Sequence, residues 1–138
     1  MNYFTIGRQL PSLNDYQNAC RSHWSEGHKF KQELETDIGW YIRNAVIKGR
    51  LTPVTEQVDL LIVWHEKTEK RDTDNIQSAT KFILDAMRAG GIIKNDSRKY
   101  VRQIYHEIKD GAEKDGVVVC LYKVGDLKVT FDIDENEA

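Results

Sequence analysis

One α+β domain, a mixed β-sheet of four to five strands covered by two helices, is the fold class predicted by three observations. Hydrophobic patterning changes in kind along the chain, in the order strand, helix, strand, helix, strand, strand, which suits a sheet with helices packed on it. The 138 residues are 40% hydrophobic and include three Trp, six Tyr and four Phe, enough apolar surface for one modest core and too little chain for two. The longest apolar runs, Leu60 to Trp64 and Val117 to Tyr122, fall far short of the roughly 20 residues that cross a bilayer, so no membrane segment is expected.

Tyr3 to Ile6 opens as a short strand, and Leu10 to Asp15 reads as an irregular turn because Pro11 disfavours helix before it. From about Glu26 to Lys48, Phe30, Leu34, Ile38, Tyr41, Ile42 and Ala45 recur at three-to-four-residue spacing, the signature of a long amphipathic helix that Gly49 and Pro53 stop. Val54 to Trp64 follows as a buried strand. A second helix is predicted from Asp74 or Asn75, with Ile76, Ala79, Ile83 and Ala86 or Met87 as its buried stripe and Gly90-Gly91 as its stop. Lys99 to Ile108 and Gly116 to Val124 read as two strands of a hairpin, and alternation of Leu127, Val129, Phe131 and Ile133 suggests a further strand. One domain over residues 1–131 and an acidic tail over 132–138 complete the expected organisation.

The formal net charge of −2 by itself predicts no affinity for nucleic acid. Asp132 to Ala138, however, holds four acids and no base, so residues 1–131 carry +2. Two basic clusters lie in that body: Lys67, Lys70 and Arg71, then Lys94, Arg98, Lys99 and Arg102. Cys20 and Cys120 stand 100 residues apart in no metal-ligand spacing, and the N-terminus has no basic and apolar leader pattern, so a reduced cytoplasmic protein without structural zinc is expected. His23, His28, His65 and His106 have no ligand spacing either, and Trp24, Trp40 and Trp64 suit core or interface better than base stacking.

The chemistry is expected at carboxylates. Asp72 and Asp74 flank Thr73, and an extended chain would send both to one side, where their mutual repulsion is relieved by a hard divalent cation. Asp74-Asn75-Ile76-Gln77 equally fits a helix cap, which would account for Asp74 without a metal. A third acid, Asp96, lies beyond the second helix. It can rejoin Asp74 only if the chain after Gly91 doubles back along a helix of about 22 Å.

Lys70-Arg71-Asp72-Thr73-Asp74-Asn75, then Lys81-Phe82-Ile83-Leu84-Asp85-Ala86-Met87, then Gly91-Ile92-Ile93-Lys94-Asn95-Asp96 resembles the signature of the RusA family of Holliday-junction resolvases. The opening Leu10-Pro11-Ser12-Leu13-Asn14-Asp15-Tyr16 is similar to the family's N-terminal loop, so the motifs span residues 10–96 in order. The resemblance implies a homodimeric Mg²⁺-dependent endodeoxyribonuclease that resolves four-way DNA junctions, with Asp72, Asp74 and Asp96 binding the metal and Lys81 as the active-site lysine. Arg71, Asn75, Lys94, Arg98 and Lys99 would then contact DNA. Two departures stand out. Asn75 and Lys81 are six apart, where the family's spacing is commonly three residues shorter, and the closing acidic pair is Asn95-Asp96. Asp85 is open to reading as a site residue or as a buried polar group of the helix. A non-catalytic branched-DNA-binding module is the alternative function, and a nuclease for RNA or flaps a third.

Overall fold

The computed structural model describes residues 1–134 and 136. Its elements run β1 (Asn2–Ile6), α1 (Leu13–Ser22), α2 (Trp24–Ile47), β2 (Val58–Glu66), α3 (Thr73–Gln77), α4 (Thr80–Ala89), β3 (Val101–Asp110) and β4 (Gly116–Lys123). The four strands form one mixed sheet in the order β1-β4-β2-β3, so the α+β class holds.

The N-terminal turn is in fact followed at once by a helix. Ser12 caps α1: its Oγ accepts from Asp15 N at 3.2 Å while Asp15 Oδ2 accepts from Ser12 N at 2.8 Å. That reciprocal pair was present in Ser12-Leu13-Asn14-Asp15, but α1 buries no residue fully, so it lacks the apolar stripe by which a helix is usually read. His23, extended at φ −168°, ends α1 and caps α2, its Nδ1 accepting from Ser25 N. The two helices close tightly at Gly27, where a Cβ would meet the Cys20 Cα at 3.0 Å.

The face of α2 carrying Leu34, Ile38, Ile42 and Ala45 is buried as its spacing predicts. β2 starts four residues later than expected, because Val54 N instead donates to Ile92 O at 2.9 Å and holds residues 54–57 as a loop. The second predicted helix is two. Ser78 Oγ donates to Asn75 O at 2.7 Å and accepts from Leu13 N at 2.9 Å, and the helix breaks between Gln77 and Thr80 where that side chain competes for backbone groups.

β3 and β4 do not form a hairpin. β2 pairs in parallel with β3 on one side and antiparallel with β4 on the other, from Val58↔Lys123 to His65↔Gly116. A parallel pair needs a crossover, and α3 and α4 supply it. With β4 between β1 and β2, the tail leaves from an interior strand, and Leu127 to Ile133 forms no strand, with Phe131 and Ile133 largely exposed. Of the acidic tail, residues 135, 137 and 138 lie outside the described residues. The core gathers Phe4, Ile6, Leu60, Ile62, Trp64, Ile83, Met87, Ile92 and Val119 between sheet and helices. Trp64 is buried, whereas Trp24 and Trp40 are exposed. Among the described residues no helix is long and apolar enough to cross a membrane.

Candidate functional site

The inward row of β2, Val58, Leu60, Ile62 and Trp64, continues by strand alternation to Glu66, which is only 3% exposed. A buried carboxylate needs partners. Arg71 supplies them: its Nε and Nη2 reach Glu66 Oε1 and Oε2 at 2.9 and 3.2 Å, and its Nη1 donates to Leu10 O at 2.9 Å. Gln9 Nε2 adds a 3.4 Å contact to the same Oε1. Arg71, expected on DNA, is thus engaged with an internal acid, and it ties the residue before Asp72 to the N-terminal loop.

Asp72 is extended (φ −67°, ψ 148°) and stands at the N-cap of α3, where its carboxylate makes no capping bond. Its carbonyl accepts from Ile76 N at 3.1 Å. The cap expected at Asp74 is therefore two residues earlier, at Asp72, and Asp74 lies in the first helical turn, its Oδ1 accepting from Asn75 N at 3.0 Å. Because Thr73 is already helical, strand alternation does not describe the pair. Both acids are exposed, and neither enters an ion pair among the described residues. Asn75 Oδ1 accepts from Asn14 Nδ2 at 3.1 Å. With the Leu13 bond to Ser78, this docks the N-terminal loop on the Asp-x-Asp-Asn turn across some sixty residues of sequence.

After Gly91, held at φ +73°, Ile92 and Ile93 plunge into the core and residues 94–100 follow in turns. Asn95 Oδ1 accepts from Ser97 N at 2.9 Å, and Asp96, Lys94, Arg98 and Lys99 are exposed. Arg98 O accepts from Gln57 Nε2 at 2.7 Å, and Lys99 Nζ lies 5.6 Å from the Tyr100 ring centroid. Arg102 leaves this cluster. A bulge between Val58 and Asp59 in the β2–β3 register turns it onto fully buried Asp59, at 2.9 and 2.6 Å.

Among the described residues no group of three or more His, Cys, Asp and Glu side chains is placed to hold a metal ion, so the structure does not gather Asp96 with Asp72 and Asp74. The donor chemistry of the remaining pair fits a hard divalent cation: two exposed carboxylates two residues apart, in no ion pair among the described residues, match an ion that takes one or two acids and keeps several waters. Lys81, on the first turn of α4, stands 3.8 Å from Asp85 Oδ2, and Lys31 of α2 reaches the same oxygen at 3.7 Å. Asp85 is buried.

Sequence reasoning missed Glu66, Asp59 and Lys31. Glu66 was legible as the next member of the inward row of β2, whereas Arg102 on Asp59 and Lys31 on Asp85 come from elements distant in sequence. On the sheet, Trp64 Nε1 donates to His106 Nδ1 at 3.0 Å, and burial lowers the His106 pKa from its ordinary 6.5.

The family model described as "Endodeoxyribonuclease RusA" matches residues 11–122. No curated protein matches the chain.

Proposed function

Because the chain belongs to the RusA endodeoxyribonuclease family, whose members hydrolyse DNA and resolve Holliday junctions, we propose that it is a Mg²⁺-dependent resolvase acting as a homodimer on four-way DNA. The observation that carries this reading is the docking of Pro11-Ser12-Leu13-Asn14, at the start of α1, on the segment from Asp72 to Ser78 through the Asn14–Asn75 and Leu13–Ser78 bonds. It joins two of the resembling motifs in one place.

In this reading Asp72 and Asp74 hold the cation, with Asp96 as the third acid brought in from the 94–100 segment. Mg²⁺ held there would supply Lewis-acid chemistry, polarising the phosphodiester and lowering the pKa of the water that replaces the 3′ oxygen on phosphorus. Lys81 offsets negative charge developing on the phosphoryl oxygens. Lys94, Arg98 and Lys99, exposed beside Asp96, hold flanking phosphates and set the register of the DNA without reading its sequence. Asn75 orients the N-terminal loop toward the same strand. Arg71, bound to Glu66, serves by fixing the backbone that carries Asp72. A two-fold dimer presents two such sites to a two-fold substrate, so that paired strands are nicked. Residues 1–131 form the nuclease domain with 132–138 as a tail, working on DNA in the cytoplasm.

The test is single-turnover cleavage of a synthetic four-way junction with and without Mg²⁺, against linear duplex, flap and RNA substrates. Paired symmetric nicks in the junction that require Mg²⁺ are expected. Junction binding without cleavage would favour the non-catalytic module, and preferential cutting of flaps or RNA would move the substrate.

A further inference from the structure

Asp85 is an unusual group for a helix flank. Its side chain is 9% exposed and its Oδ2 is buried with no hydrogen-bond partner, yet two ammonium groups from different helices stand at 3.7 and 3.8 Å from that one oxygen. Both distances exceed those of a closed charge-assisted hydrogen bond. Phe30, next to Lys31 on α2, and Phe82, next to Lys81 on α4, pack with Tyr16 at ring-centroid distances of 5.8 to 6.4 Å, so the two helices that carry the lysines are held together. The lysine side chains are 43% and 60% exposed, so their ammonium groups face solvent as well as the acid. Two cations and one anion leave a single positive charge, the complement of one phosphodiester. A phosphate oxygen that approaches Lys81 meets Lys31 beside it, because both border the same carboxylate oxygen.

We propose that Lys31 is a phosphate-binding residue of the DNA site, and that Asp85 is the positioning residue that holds Lys31 and Lys81 as a pair. This rests on the reading of the chain as a junction-cleaving enzyme and extends its DNA footprint onto α2. Asp85 offsets the repulsion that would otherwise drive the two ammonium groups apart, while its own desolvation is relieved by both.

The experiment measures binding of the full chain to a labelled four-way junction by anisotropy across a KCl titration without divalent metal, and single-turnover cleavage with Mg²⁺ at saturating DNA. Lys31→Ala weakens binding about three- to tenfold at moderate salt and lowers the slope of log affinity against log salt by about one. Lys31→Arg retains both. Asp85→Asn binds the junction as tightly as the wild type or more tightly, yet cleaves about tenfold more slowly at saturation, a split that loss of stability alone does not give. Wild-type affinity and salt slope in Lys31→Ala overturn the phosphate role. An unchanged saturating rate in a folded Asp85→Asn overturns the positioning role. Should Asp85→Asn fail to fold, the variants of Lys31, a half-exposed side chain, still decide. A wild-type chain that binds no junction overturns the proposed function itself, a result distinct from either.

Discussion

Two segments carry the acids of the candidate site, and they are mounted differently. The turn from β2 into α3 is pinned from within: buried Glu66 grips Arg71, Arg71 reaches Leu10 O, and Asn75 and Ser78 bond the N-terminal loop. The 94–100 segment is held mainly through backbone turns, with Asn95 on Ser97 N and Gln57 on Arg98 O as its side-chain ties. Two acids therefore sit on a rigid mount, while Asp96 sits on a strap anchored by Ile92 and Ile93 at one end and Val101 at the other. The acids of the candidate site are thus mounted on two segments that differ in how many side-chain ties hold them.

The strongest way to break this contrast is to remove the acids. Asp72→Asn, Asp74→Asn and Asp96→Asn should each slow junction cleavage by at least about a thousandfold, a loss of roughly 4 kcal/mol of transition-state stabilisation, while binding is kept or tightened. Near-normal cutting by Asp96→Asn, read in single-turnover kinetics across a Mg²⁺ titration, would take the strap out of the site. Next in size, Glu66→Ala should destabilise the fold by about 3 kcal/mol, because it strands a partly buried guanidinium, and the loss should appear in urea denaturation. Removing Gln57 from the strap by Gln57→Ala should cost about 1 kcal/mol, a single hydrogen bond, and stability equal to Glu66→Ala would erase the difference between the mounts.

His106, on β3, provides a control outside both segments. Its folded pKa lies below the unfolded value of 6.5 because burial disfavours the imidazolium, and its Nδ1 already accepts from Trp64. The unfolded chain therefore takes up a proton first as pH falls, so stability is full above about 6.5 and declines below it until the folded pKa is reached. Thermal melts from pH 7.5 to 5 should show that decline and a shallower one in His106→Gln. Smallest of all, Asn95→Asp should alter cleavage by no more than about twofold, since Asn95 serves the turn through Ser97 N. A large gain would show that the strap lacks an acid it needs.

The elements that announce themselves by long periodic burial, α2 and β2 above all, were legible in the sequence. α1 was not, having no fully buried residue, nor was the break at Ser78, which depends on a bond from Leu13. The supposed hairpin shows a deeper limit: the alternation in β3 and β4 states that each is a strand and is silent about which strand it pairs with. At the site, the aspartates and Lys81 stood out by motif. Arg71 did too, but its engagement with Glu66 rather than solvent, and the meeting of Lys31 with Asp85, are facts of tertiary geometry.

The placement of β4 bears on how the chain is made. Among the described strands β1 pairs with β4 alone, with Asn2 opposite Leu121, so β1 waits for a strand more than a hundred residues further along the chain before it pairs. Contacts of such long sequence separation slow folding. Until β4 emerges, β1 and one edge of β2 present unpaired backbone, the kind of edge that recruits other chains. A nascent or truncated product that stops before Val117 lacks the strand that joins β1 to the rest of the sheet.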